Sequence, residues 1–146
     1  MSRFHLALTV DDLDRSIAFY NRLLGAEPTR VESDYAKWMI DDPRINLSIS
    51  TRGSRRGVDH VGLQAEDEAE FAGLRERLAE ADAPKLDQEN TTCCYARSTK
   101  TWVHDPDGVA WETFHTHGDA TEYGDGTLDA ARLAENEACC VPQQAG

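Results

Sequence analysis

The 146 residues include 27 acidic and 15 basic side chains, a net charge of −12, with an isoelectric point near 4.7 and a mean hydropathy of −0.60. That field repels phosphate backbones, which excludes nucleic acid as a partner and disfavours small polyanions, while neutral molecules are unaffected. The length suits one domain or two fused half-size repeats, and the short apolar runs predict no signal peptide and no membrane span. The chain therefore reads as a cytoplasmic protein. Its four cysteines fall in two adjacent pairs, Cys93-Cys94 and Cys139-Cys140. Adjacent cysteines bridge each other poorly, and in a reducing cytosol both pairs read as thiols.

Phe4 to Val10 alternates with period two, with Phe4, Leu6, Leu8 and Val10 on one face and His5, Ala7 and Thr9 on the other. Asp11-Asp12 then offers an N-cap. Leu13, Ile17, Tyr20 and Leu24 follow at helical spacing, and Gly25 stands where the helix should end. Tyr35 to Ile40 and Ile45 to Thr51 read as strands joined at Asp41-Asp42-Pro43-Arg44. Fifty-five residues after the first strand the pattern returns. Val61, Leu63 and Ala65 alternate with His60, Gly62 and Gln64, Asp67 with Glu70 resembles a capping box, and Phe71, Leu74, Leu78 and Ala81 form a helical stripe ahead of Pro84. Thr101 to Asp105 and Val109 to Thr116 follow as strands, joined by the hairpin signal Asp105-Pro106-Asp107-Gly108. The chain thus divides into two βαβββ modules, residues 1–54 and 55–117, which together predict an α+β fold with a curved mixed sheet around a metal-binding cleft. Residues 118–146 break the pattern and read as an acidic mobile tail, with a short helix around Leu128 to Glu137 and with Cys139 and Cys140.

The repeat superimposes His5 on His60, each on the face away from the bulky apolar stripe and beside small or polar neighbours, as a cleft lining requires. On the last strand Glu112 shares a face with Ala110 and Phe114, where a carboxylate is costly unless paired or bound to a metal. His115 and His117 have the opposite parity and are excluded from that site, and His104 belongs at its rim. Two imidazoles and one carboxylate with open positions form the facial triad of non-haem Fe(II) oxygenases. In the first module the position matching Glu112 falls near Ser48, so no second carboxylate is available as a fourth ligand.

Paired βαβββ modules with His on the first and fifth strands and Glu on the eighth resemble the vicinal oxygen chelate superfamily, which includes glyoxalase I, extradiol dioxygenases and the bleomycin-resistance fold. The likeness covers residues 3–117 and is carried by His5 to Leu13, Ser16 to Tyr20, Leu24-Gly25 and Asp105 to Gly108. Thr91-Thr92-Cys93-Cys94-Tyr95-Ala96, a thiol pair in the loop before the seventh strand, narrows it further. That segment resembles the Fe(II)-dependent carbon–arsenic lyases and the related cadmium-induced proteins. The resemblance implies Fe(II) on His5, His60 and Glu112, and trivalent arsenic on Cys93 and Cys94. It further implies dioxygen as co-substrate, methylarsonous acid or a reduced aromatic arsenical as substrate, and arsenite as product. Thiolates are soft ligands that select As(III) or Cd(II) over hard cations, and an arsenous acid is neutral near pH 7, so the chemistry tolerates the acidic surface. Tyr95, Arg97 and Lys100 are expected to close over the site, and the tail cysteines to be neutral for turnover, since a mobile tail cannot fix a reacting carbon. Fe(II), Mn(II), Ni(II) and Co(II) all suit this donor set, and the superfamily admits a homodimer. Two rivals stay open: a glyoxalase- or extradiol-type enzyme with incidental cysteines, and a thiophilic-metal binding protein without turnover.

Overall fold

The computed structural model describes residues 1–81 and 85–121. Pro84, and the tail from residue 122 onward with its expected helix, Cys139 and Cys140, lie outside the described residues. The first module runs β1 (Arg3–Thr9), α1 (Leu13–Leu24), β2 (Arg30–Glu32), β3 (Tyr35–Asp41) and β4 (Arg44–Ser50). The second repeats it as β5 (Gly57–Ala65), α2 (Glu68–Glu80), β6 (Leu86–Cys93), β7 (Ala96–His104) and β8 (Ala110–Asp119). All eight strands join one mixed sheet in the order β2-β3-β4-β1-β5-β8-β7-β6. The modules meet at its centre, where β1 and β5 pair antiparallel.

Both helices start as the sequence predicts. The Asp12 carboxylate accepts from the Arg15 amide at 2.9 Å, and Asp67 accepts from Glu70 at 2.8 Å while Glu70 accepts in turn from the Glu66 amide. Gly25 closes α1 in the left-handed region at φ 65°, a conformation that costs glycine nothing. Leu13, Ile17, Tyr20 and Leu24 pack with Leu6 and Leu8 onto buried Ala36, Trp38, Leu47 and Ile49. On the second module Phe71 and Leu74 cover Ala65 and Leu63. The bulky apolar stripe of each central strand therefore faces helix, and the opposite face is left to line the cleft.

The strand limits depart furthest from the sequence reading in the second module. β7 begins at Ala96 rather than Thr101, β6 occupies Leu86–Cys93, and β8 runs to Asp119. These segments are polar on both faces: Gln88 and Lys100 are buried inward, and Asp87 bonds Thr101 on the other side. Alternation of apolar and polar residues, the signal that exposes a strand, is absent there.

Candidate metal centre and its thiol pair

The paired strands bring His5, His60 and Glu112 together. Register does this: His5 lies opposite Gly62, and Gly62 lies opposite Glu112, so the carboxylate sits two strands from His5 with a glycine between. Within the first module Ala7 pairs with Ser48 as Gly62 pairs with Glu112 in the second. Ser48 is thus the counterpart of Glu112, and the first module supplies no carboxylate.

All three residues are buried, at 7, 8 and 2% exposure. Their Nε2 and carboxylate oxygens converge: 3.1 Å between the two imidazoles, 3.6 Å from His5 to Glu112 and 3.4 Å from His60 to Glu112. A divalent ion with bonds of about 2.1 Å separates its ligand atoms by roughly 3.0 Å at right angles and roughly 3.4 Å at tetrahedral angles. The donor set therefore has the size of a metal site. Its outer shell has that character too. His5 Nδ1 bonds the Asn46 carbonyl at 3.0 Å, and His60 Nδ1 bonds Asp59 Oδ2 at 2.7 Å, so each ring turns Nε2 inward. Lys100 Nζ donates to Glu112 Oε1 at 2.5 Å and leaves Oε2 facing the histidines.

Three electron-rich atoms at such range repel one another unless a cation joins them, and the proton affinities record this. Burial, then the neighbouring His60, pulls His5 down to about 4. Burial also opposes charge on His60, but its bonds to Asp59 and Glu112 outweigh that and lift it to about 9. Burial alone would raise Glu112, yet the Lys100 ammonium and His60 hold it well below the usual carboxylate range. Without metal, one proton on His60 stands in for the cation. Among the described residues no other group of three such ligands is assembled.

Cys93 and Cys94 stand at the β6–β7 turn with their sulfurs 3.3 Å apart. The mutual hydrogen bond, then burial, pushes the Cys94 thiol well up, while the Lys100 ammonium lowers it and the Glu112 carboxylate raises it. Cys94 packs against Tyr35 and Tyr95. The segment read as the loop before the seventh strand is a tight turn, Cys94-Tyr95, between β6 and β7. Of the residues expected to close over it, Tyr95 is buried in the turn, Arg97 is exposed, and Lys100 lies inside the site on Glu112. His115 and His117 pack on each other at 4.9 Å, with His117 bonded to Thr99, and take no part. Asn46 and Asp59 escaped the sequence reading, because nothing in strand alternation marks a carbonyl or a neighbouring carboxylate as the residue that orients an imidazole.

Residues 3–113 match the family model of the Glyoxalase/Bleomycin resistance protein/Dioxygenase superfamily. The chain belongs to this superfamily. Within it, the chain is 44% identical over 119 residues to a trivalent organoarsenical cleaving enzyme of Bacillus sp. (strain MD1), covering 80% of this chain and 74% of that one. It is 35% identical over 147 residues to the cadmium-induced protein CadI of Mycobacterium tuberculosis (strain ATCC 25618 / H37Rv), covering 99% and 97%. In three dimensions it is similar to the Mn(II)-bound glyoxalase from Novosphingobium aromaticivorans, with a TM-score of 0.58 at 19% identity over 84% of this chain and 42% of that one. This last likeness speaks to the fold. Among the described residues no helix is long and apolar enough to cross a membrane.

Proposed function

We propose that this superfamily member cleaves the carbon–arsenic bond of trivalent organoarsenicals, such as methylarsonous acid and reduced aromatic arsenicals, and releases arsenite. In this reading His5, His60 and Glu112 hold Fe(II), Cys93 and Cys94 hold arsenic, dioxygen is the co-substrate, and the protein works in the reducing cytoplasm. The observation that carries it is a buried His/His/carboxylate cluster in a chain that also holds two thiols side by side at the β6–β7 turn. The likeness to the Bacillus enzyme supports it.

The spacing of the sulfurs adds a physical argument. Two thiolates on a tetrahedral metal with bonds of about 2.3 Å stand roughly 3.8 Å apart. Trivalent arsenic carries a lone pair that compresses its bond angles toward a right angle, which brings two sulfurs to roughly 3.3 Å at the same bond length. At 3.3 Å apart, the two sulfurs are within reach of one trivalent arsenic atom.

The residues divide the work accordingly. An organoarsenous acid carries two hydroxyls on arsenic. Each thiol replaces one, forming As–S and breaking As–O, and each thiol proton leaves with the displaced hydroxide as water. The hydrogen bond with Cys93, then burial, keeps Cys94 protonated until that exchange, so the proton is already in place. Phe114 and Trp102 wall the histidines, with ring centroids 5.2 Å from His5 and 5.0 Å from His60, and keep bulk water from the reacting carbon. Lys100 fixes the outer oxygen of Glu112 so that the inner one faces the metal position. When bound, Fe(II) on such a triad supplies oxygen-activating redox chemistry.

The deciding experiment is aerobic turnover of methylarsonous acid by protein loaded anaerobically with Fe(II), with arsenite followed by chromatography. Arsenite from the wild type and from neither Cys93→Ser nor His60→Ala supports the reading. No arsenite, with stoichiometric thiol-dependent arsenic or cadmium binding, replaces it with a trap. No arsenite, with turnover of an extradiol or glyoxalase substrate that survives Cys93→Ser, replaces it with that type of reaction.

A further inference from the structure

Adjacent residues in a strand point to opposite faces, so two neighbouring cysteines in extended backbone cannot grip one atom. Here the sulfurs are 3.3 Å apart. The backbone explains it. Cys93 pairs with Ala96 across the hairpin, leaving Cys94 and Tyr95 as its two central residues, both left-handed with φ of 54° and 61°. This is the hairpin geometry that Asn-Gly adopts readily and that bulky residues resist. A Cys-Tyr pair does not hold such a turn by its own preference. Something else must hold it.

The restraint comes from the far edge of the sheet. The curl brings the β6–β7 turn onto the β2–β3 hairpin, although β2 and β6 are the two outermost strands. Tyr95 donates its hydroxyl to Asp34 Oδ1 at 2.7 Å, and Asp34 is itself paired with Arg52. Arg30 donates to the Tyr95 carbonyl at 3.1 Å and to the Ala120 carbonyl at 2.8 Å, while its guanidinium lies 4.9 Å over the Tyr95 ring. The Ala120 amide bonds the same Tyr95 carbonyl at 2.8 Å. Tyr35 packs against Tyr95 with ring centroids 5.5 Å apart. Ring, hydroxyl and carbonyl of one residue are thus each held by the opposite module or the end of β8.

We propose that Tyr95, anchored by Asp34 and Arg30, is the positioning residue that keeps the Cys93–Cys94 pair in chelating geometry. This rests on the reading of the two cysteines as arsenic ligands. Release of the anchor lets the turn relax out of the left-handed region. That relaxation swings the Cys94 side chain away from Cys93, so two-sulfur capture weakens while each single thiol stays reactive. Asp34 and Tyr95 act through one hydrogen bond, so their removal is not additive.

The test uses the full-length, metal-free, reduced protein carrying Cys139→Ser and Cys140→Ser, so that one thiol pair remains, with phenylarsine oxide as the probe, its affinity measured in competition with dimercaptopropanol. Tyr95→Phe, which keeps the ring, and Asp34→Ala, which removes the acceptor from the other module, each weaken binding about tenfold. The double variant is no weaker than the worse single one, and labelling by N-ethylmaleimide, which needs one sulfur, is not slowed. In turnover KM rises while kcat is retained. Wild-type affinity in both single variants, additive losses, or parallel loss of maleimide labelling overturns the proposal. Equal binding by wild type and Cys93→Ser overturns instead the chelation reading beneath it.

Discussion

Gly62 is where the metal centre depends most directly on the absence of an atom. It lies between His5 and Glu112 in the sheet, and a methyl group there would sit 2.2 Å from the Glu112 carbonyl oxygen, 3.0 Å from its carbon and 3.2 Å from its Cβ. Ordinary contact needs about 3.5 Å, so Gly62→Ala falls short by about 1.3 Å against backbone, which cannot rotate aside as a side chain would. The strand that carries Glu112 must move outward. Overpacking of this kind costs roughly 2–3 kcal/mol, a fall in Tm of roughly 5–10 °C for a chain this long. Because the displaced residue is a ligand, apparent Mn(II) affinity should drop tenfold or more, as it does when ligand supports are lost. The internal control is Gly73→Ala on α2, where an added methyl meets nothing within 4 Å. That change should stabilise by up to about 1 kcal/mol through helix propensity and leave metal binding alone. Scanning calorimetry and anaerobic metal titration of both variants read the outcome. If Gly62→Ala melts and binds metal like the wild type, the register argument that places Glu112 is wrong.

Two further expectations concern charge. His60 is raised from 6.5 to about 9 in the fold, so its contribution to the stability of the metal-free protein is complete below pH 6.5 and is lost as the pH climbs through 9. A metal must displace that proton, so apparent Mn(II) affinity should improve about tenfold per pH unit between 6.5 and 8, and a flat titration would remove the proton from His60. Lys100 and Glu112 have side chains only 6 and 3% exposed, and deleting one partner of a buried ion pair costs about 3–5 kcal/mol. Metal-free Lys100→Met should therefore melt roughly 10 °C lower, with added Mn(II) raising its Tm by more than it raises that of the wild type, since the metal takes over neutralising Glu112. Equal melting of the metal-free proteins would show that the pair contributes nothing.

The amino-acid sequence by itself determines the repeat, both helix starts and the faces on which His5, His60 and Glu112 lie. Each follows from local chemistry: period-two alternation assigns faces, caps follow from carboxylates three residues ahead of an amide, and the 55-residue recurrence aligns the histidines. It also makes Cys93 and Cys94 neighbours. What it leaves open is distance across strands. Lys100 reads as one of the residues that close over the site, and only pairing with β8 places it on Glu112. Asn46 and Asp59 orient imidazoles through contacts that no spacing announces. The thiol turn shows the limit most clearly. Cys-Tyr has no intrinsic preference for two successive left-handed residues, so that conformation cannot be read locally. It exists because a curled sheet brings Asp34 and Arg30, some sixty residues earlier in the chain, against Tyr95, and contacts between distant segments hold what local propensity opposes.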